Sequence, residues 1–74
     1  MIVEVDDIFI EDSNEKKKTE LNLSKPKKIK EILEEVKFND FGYANYFLNG
    51  KQVNLEDLAE NDDKLVVLPI FGGG

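Results

Sequence analysis

The feature that most constrains the fold is an apolar run near the C-terminus, residues 65–68, with the sequence LVVL. Continuous runs rich in β-branched residues are typical of strands that are covered on both faces, so we expect a central strand here. Pro69 has no backbone N–H and is expected to end the pairing of that strand. A central strand should therefore lead directly into the C-terminal residues.

Those C-terminal residues carry little that could build a core. They are Ile70, Phe71, Gly72, Gly73 and Gly74. Glycine loses more conformational entropy on ordering than other residues and adds no side chain to packing, so stability does not explain the run. One interpretation is a frayed terminus or a linker remnant. The other is functional: a second protein draws a flexible C-terminal carboxylate into a narrow active site.

The residue types that are missing limit the chemistry. The chain has 74 residues, enough for one small domain with a single core, and it contains neither cysteine nor histidine. Disulfides, thiolate metal sites and a cysteine nucleophile are thereby excluded, as are the commonest general base and metal ligand. We therefore expect no metal site and no self-contained catalyst.

The charge balance argues against binding to nucleic acid. The sequence has ten basic residues, all of them lysine, and sixteen acidic residues, which gives a formal net charge of −6. A nucleic-acid binder needs excess positive charge to displace counterions from phosphates. No apolar run approaches the length of a membrane span, and the N-terminal sequence MIVEVDDIFI lacks the features of a signal peptide. We expect a cytoplasmic protein without membrane contact.

The first part of the chain predicts a β-hairpin. Apolar residues alternate over residues 2–10, with a change of phase at Asp6 and Asp7 that indicates a bulge or an early strand end. A polar stretch, residues 11–18, is typical of a solvated loop. Leu21 and Leu23 then alternate with polar residues, which predicts a second strand over residues 19–24.

A helix is predicted next. Ser24 is the expected N-cap, and Pro26 falls in the first turn, where its missing N–H has no cost. Spacings of three and four residues predict a helix of about three turns with one apolar stripe. The stripe consists of Ile29, Ile32, Leu33 and Val36.

A second hairpin follows the helix. Residues 43–48 alternate and predict a third strand, and Asn49-Gly50 predicts a type I′ turn because both positions need positive φ. A short fourth strand is expected over residues 51–53, then a helical turn over 54–58, capped by Asn54 and anchored by its two leucines. The aromatic side chains are expected in the core or at its edge: Phe38, Phe41, Tyr43, Tyr46 and Phe47.

These elements together predict a β-grasp, an α+β fold of the ubiquitin-like type. A helix between the second and third strands rules out a tight turn there, so the sheet must be mixed. We expect four to five strands, one main helix packed across one face, and the last strand in the middle beside the first. The predicted domain covers residues 1–69, and residues 70–74 form a flexible glycine tail.

Several of these residues also resemble one family. The Asn49-Gly50 hairpin, the acidic turn over residues 61–63, the sequence LVVLP and the terminal Gly73-Gly74 pair occur in the order and at the spacings of the ThiS/MoaD family of ubiquitin-like sulfur carriers. The likeness covers most of the chain and is best from Leu48 onward. Asp62 stands where the family usually has glycine, and Gly72 is an additional glycine before the pair.

The resemblance implies a carrier and not an enzyme. A partner resembling the ubiquitin-activating enzymes would use ATP to adenylate the Gly74 carboxylate, and a persulfide sulfur donor would convert it to a thiocarboxylate. An acceptor synthase would then use the sulfur in thiamine, molybdopterin or tRNA biosynthesis. The chain itself would bind no cofactor. Ile70 and Phe71 would anchor the tail to a partner, and Gly72 and Gly73 would pass a constriction that excludes side chains.

Two other functions stay open at this point. A ubiquitin-like modifier would use the same adenylated Gly74 but form isopeptide bonds with lysines of target proteins. A plain β-grasp interaction module would not use the tail.

Overall fold

A computed structural model describes residues 1–9 and 17–70. Its strands and its α-helix are β1 (Ile2–Val5), β2 (Lys18–Glu20), β3 (Lys27–Lys28), α1 (Ile29–Glu35), β4 (Ala44–Leu48), β5 (Lys51–Val53), β6 (Leu58–Ala59) and β7 (Lys64–Pro69). Short 3-10 turns lie at Asp7–Phe9 and Phe41–Tyr43. None of the helices within these ranges is long and apolar enough to cross a membrane.

The last strand lies in the middle of the sheet, as predicted. Over the described residues, the main sheet has five strands in the order β2-β1-β7-β4-β5. β7 runs parallel to β1 and antiparallel to β4, so the sheet is mixed. The two hairpins, β1–β2 and β4–β5, flank β7 on either side. The predicted β-grasp is confirmed.

The core lies between α1 and one face of the main sheet. Ile29, Ile32 and Leu33 of α1 are buried, as the apolar stripe predicts. Val3, Leu65 and Val67 are the sheet residues buried most completely against them. Among the residues that the structure describes, no polar or charged residue is buried.

The prediction that the last strand is covered on both faces is wrong. Leu65 and Val67 are fully buried, whereas Val66 is half-buried and Leu68 is 36% exposed. The physical reason is the supply of covering elements: the described part of the chain has one α-helix, and it packs on one face only. The opposite face of the main sheet is called the open face below.

The helix begins later than predicted. Its first residue is Ile29, its N-cap is Lys28, and that residue makes no side-chain capping bond. Ser24 and Pro26 precede the helix because residues 27–28 pair as β3 with β6 in a small two-stranded sheet. This pairing outweighs the local capping signal and leaves a helix of seven residues.

The first hairpin is shorter than predicted. β1 ends at Val5, so the predicted early strand end is confirmed and the alternative, a bulge at Asp6 and Asp7, is not needed. Ile10 and most of the predicted loop lie outside the described residues. β2 covers Lys18–Glu20 and not 19–24. The last backbone hydrogen bond between this segment and the N-terminal strand runs from the Leu21 N–H to the Met1 carbonyl. The Leu23 N–H instead donates to the side chain of Asn61, at 2.9 Å from its Oδ1.

The second hairpin has the predicted turn, but the segment after it does not form a helical turn. Asn49 has φ 52° and Gly50 has φ 86°, both positive as a type I′ turn requires. At residues 54–57 the capping is reversed, because Asp57 Oδ2 accepts from the Asn54 N–H at 2.8 Å. Leu58 belongs to β6 and is 60% exposed, so it does not anchor the segment.

Candidate functional site

The site that the sequence predicts begins where β7 ends. Pro69 is buried and lies opposite Ala44 of β4. The ladder continues for one more residue, because the Ile70 N–H donates to the Tyr43 carbonyl at 3.0 Å. Pro69 was expected to end the pairing, but in an antiparallel ladder alternate residues bond to a given neighbour. The missing donor of Pro69 therefore costs β4 no hydrogen bond.

Of the five predicted site residues, the structure describes Ile70. Its backbone is held by the Tyr43 carbonyl, while half of its side-chain surface is exposed. Residues 71–74, which include Phe71, Gly72, Gly73 and the proposed reacting residue Gly74, lie outside the described residues. Their roles stay predictions.

Ile70 belongs to a cluster of exposed apolar side chains, Tyr43, Leu68 and Ile70, which we call the exit patch. Leu68 and Ile70 are two residues apart on an extended segment, so both side chains point to the open face. Tyr43 lies beside Ile70, to which it is hydrogen-bonded through the backbone, and is 73% exposed. The chain thus leaves the sheet through an apolar surface.

Tyr43 is the functional candidate that the sequence reasoning missed. It was expected in the third strand and at the core edge, but it ends a 3-10 turn and is exposed. The strand alternation carries a signal for this position. Ala44 and Tyr46 face the core, so the opposite phase, which contains Tyr43 and the polar Asn45, faces away from it.

On the open face, the apolar side chains of β7 become more exposed toward the tail end of the strand, at Leu68 and Ile70. Val66 lies opposite Phe47, and both are half-buried. At the start of the strand the surface is charged, where Lys64 Nζ lies 3.4 Å from Glu4 Oε2. A partner that requires an apolar contact would therefore find the most exposed apolar side chains of this face at Tyr43, Leu68 and Ile70.

The exit patch is suited to contact with another protein. Its three members offer aliphatic and aromatic surface, and aromatic side chains are enriched at the energetically important centres of protein interfaces. Within residues 1–9 and 17–70, no group of three or more potential ligand side chains could hold a metal ion. The arrangement can present a chain end to another protein.

The comparisons with known proteins bear on the fold. No protein-family model matches this chain, and no curated protein does. Among solved structures, the crystal structure of the thiamine biosynthesis protein ThiS from Geobacter metallireducens aligns with a TM-score of 0.65. The alignment covers 100% of both chains at 19% sequence identity.

This chain has the β-grasp fold of ThiS. The alignment covers the full length of both chains. At this level of identity the likeness to ThiS establishes the fold, and the roles of individual residues must be argued from the chain's own surface.

Proposed function

We propose that this chain is a sulfur carrier of the ThiS/MoaD type, whose Gly74 carboxylate is activated by a partner enzyme and converted to a thiocarboxylate. The observation that carries the proposal is the path of β7. This strand is paired on both sides, ends at the exit patch and leads directly to the glycine residues that close the sequence. The chain itself would be a co-substrate and not an enzyme.

The chemistry explains why the last residue is glycine. A carboxylate becomes a good electrophile when its oxygen attacks the α-phosphorus of ATP, releasing pyrophosphate and forming an acyl adenylate. The sulfur of a donor persulfide then displaces AMP, and cleavage of the remaining S–S bond by a thiol leaves the thiocarboxylate. Because Gly74 has no Cβ, the attacking sulfur meets the least hindered acyl carbon.

The exit patch is the proposed contact for the adenylating partner. Ile70 and Leu68 would pack against an apolar surface of that enzyme, with Tyr43 and Phe71 extending the contact. Gly72 and Gly73 would let the backbone pass a constriction. Five residues from Ile70 to Gly74 span at most about 16–18 Å, which is enough to enter an active site from the partner's surface.

The fold shared with a thiamine biosynthesis protein makes the thiamine pathway the first to test. An acceptor synthase of that pathway would be the second partner, and a persulfide-bearing enzyme the sulfur donor. We propose that the reaction takes place in the cytoplasm, where ATP is available to the activating enzyme.

Intact mass spectrometry tests the proposal. The full chain is incubated with ATP, a ThiS-activating enzyme and a persulfide donor, alongside a control chain that lacks Gly72, Gly73 and Gly74. We expect an oxygen-to-sulfur mass change in the full chain and none in the control. Conjugates joined to lysines of other proteins would indicate a modifier instead. An unchanged mass with every tested activating enzyme would contradict activation of the tail.

A further inference from the structure

The Asn49-Gly50 turn is fastened to the start of β7 through the asparagine side chain. Asn49 Nδ2 donates to Asp63 Oδ1 at 2.8 Å, and Asn49 Oδ1 accepts from the Lys64 N–H at 2.9 Å. The Asn49 N–H also donates to the Lys64 carbonyl at 2.9 Å. The amide is therefore held at both its nitrogen and its oxygen.

The same dipeptide carries a reaction of its own. The backbone nitrogen of Gly50 can attack Cγ of Asn49 and lose its proton, while the side-chain nitrogen leaves as ammonia and a five-membered succinimide forms. Water then adds to either ring carbonyl and opens the ring to aspartate or isoaspartate. Glycine favours the attack because no side chain hinders its nitrogen. This is the one Asn-Gly pair in the sequence.

The structure leaves the glycine side of this reaction open and restrains the asparagine side. Apart from Gly50 and its two chain neighbours, no atom of the described residues lies within 4 Å of the position where a Cβ on Gly50 would stand. For Cγ to approach the Gly50 nitrogen, however, the Asn49 side chain must rotate and give up its bonds to Asp63 and Lys64. The hydrogen bond to a carboxylate is the stronger kind of restraint, because charge-assisted bonds are roughly twice as strong as neutral ones.

We propose that Asn49 is a site of spontaneous deamidation and that its hydrogen bond to Asp63 keeps the reaction slow in the folded chain. The proposal goes beyond the proposed function, since it concerns the opposite end of β7 from the tail. Modification would be coupled to local opening of the turn, which is how protected groups in folded proteins become reactive.

The product would not restore the bond that protected the asparagine. An aspartate at this position has no donor for Asp63, so two carboxylates would face each other where an amide and a carboxylate now lie 2.8 Å apart. Isoaspartate would in addition insert a methylene into the backbone of a tight turn. The change is one-way and would loosen the link between the β4–β5 hairpin and β7.

The chain offers a closely matched control for the test. Asp63 Oδ2 accepts from the Glu60 N–H at 2.8 Å, and Asp57 Oδ2 accepts from the Asn54 N–H at 2.8 Å, so each aspartate closes the same kind of turn. Asp63 alone of the two reaches Asn49. Each of Asp63→Ala and Asp57→Ala therefore removes a bond from a backbone N–H to an aspartate side chain three residues later. Only Asp63→Ala also removes the hydrogen bond that restrains the Asn49 side chain.

Both variants and the wild-type chain are incubated folded at neutral pH, and the wild type also in urea. Intact mass, peptide mapping and isoaspartyl methyltransferase labelling follow conversion at Asn49. We expect the urea-unfolded chain to react fastest and Asp57→Ala to match the folded wild type. Asp63→Ala should react roughly tenfold faster than the wild type, as loss of a hydrogen bond to a charged group implies.

Two outcomes would overturn the proposal: equal rates for Asp63→Ala and Asp57→Ala, or a folded wild type that reacts as fast as the unfolded chain. Circular dichroism establishes that each variant is folded before its rate is compared. Where Asp63→Ala fails to fold, Asp63→Asn replaces it. A neutral acceptor weakens the bond, so we expect about a threefold faster rate, and no increase would likewise count against the proposal.

Discussion

Two leucines on β7 separate the part of the strand that stabilises the fold from the part proposed to contact a partner. Leu65 is fully buried between the sheet and α1, whereas Leu68 faces the open side beside Ile70. Truncating each to alanine removes the same atoms from opposite faces of one strand. The pair Leu65→Ala and Leu68→Ala therefore tests stability and docking separately.

The structure sets different energetic costs for the two changes. Leu65→Ala removes buried methyl groups and leaves a cavity, which costs about 2–5 kcal/mol. A domain of 74 residues has a total stability of roughly 4–11 kcal/mol on the usual per-residue scale, so this single change removes a large share of it. Leu68→Ala leaves no enclosed cavity and loses partial burial only, at about 1 kcal/mol.

Urea denaturation followed by circular dichroism measures the stability of each variant. ATP–pyrophosphate exchange with the activating enzyme measures docking, under conditions where both variants are folded. We expect Leu65→Ala to lower the free energy of unfolding at least twice as much as Leu68→Ala. For Leu68→Ala we expect the KM for the carrier to rise about five- to thirtyfold, the effect of losing roughly 1–2 kcal/mol of contact.

The control is Lys51→Ala, an exposed position on β5 opposite Leu48, which should change neither quantity. Equal destabilisation by the two leucine variants would refute the division of β7 into a buried and an open face. A KM for Leu68→Ala equal to that of the wild type would refute the exit patch as the docking surface, whatever the stability data show.

Three further changes test the described contacts. Tyr46→Phe removes the bond from its hydroxyl to the Phe41 carbonyl (2.9 Å) and should cost about 0.5–1.5 kcal/mol in urea denaturation. Burial raises the pKa of Tyr46 above its ordinary value, so this hydroxyl ionises at lower pH in the unfolded chain than in the folded chain. The free energy of unfolding should therefore fall as pH rises past about 10, and Tyr46→Phe should make that fall smaller. Gly50→Ala places an alanine at φ 86°, which should cost about 1 kcal/mol of stability and lower the thermal midpoint. An unchanged midpoint would count against a type I′ turn. Glu56→Gln breaks the exposed 3.0 Å ion pair with Lys28 and should leave the urea midpoint unchanged, and a clear shift would show a larger role for that pair.

The elements that could be predicted from the sequence are those specified by neighbouring residues. The positive φ of Asn49 and Gly50 follows from the chemistry of that dipeptide, and the buried stripe of α1 follows from its spacing. The central position of β7 was predicted from its apolar run, and the structure confirms it although one face of the strand is partly exposed. In each case a short stretch of chain contains the whole signal.

The predictions that failed depend on contacts between distant parts of the chain. Ser24 and Pro26 are good local start signals, but residues 27–28 pair with residues 58–59 and delay the helix to Ile29. The same pairing takes Leu58 out of its predicted helical turn. Of the candidate site, the sequence predicts Ile70. Tyr43 was grouped with the other aromatic residues in the core or at its edge, whereas in the structure it ends a 3-10 turn and is exposed.

The pairing of β7 decreases in steps toward Ile70, which fits the proposal that one strand both stabilises the fold and presents the tail to a partner. From Lys64 to Val67 the strand has β1 on one side and β4 on the other. The β1 side ends when the Asp6 N–H bonds to the Val67 carbonyl, and the β4 side continues to the Ile70 N–H. Among residues 1–9 and 17–70, the segment beyond Val67 therefore pairs with β4 and not with β1. An enzyme pulling on the tail would act first on this one-sided segment, while the two-sided segment and its buried leucine and valine keep the sheet intact.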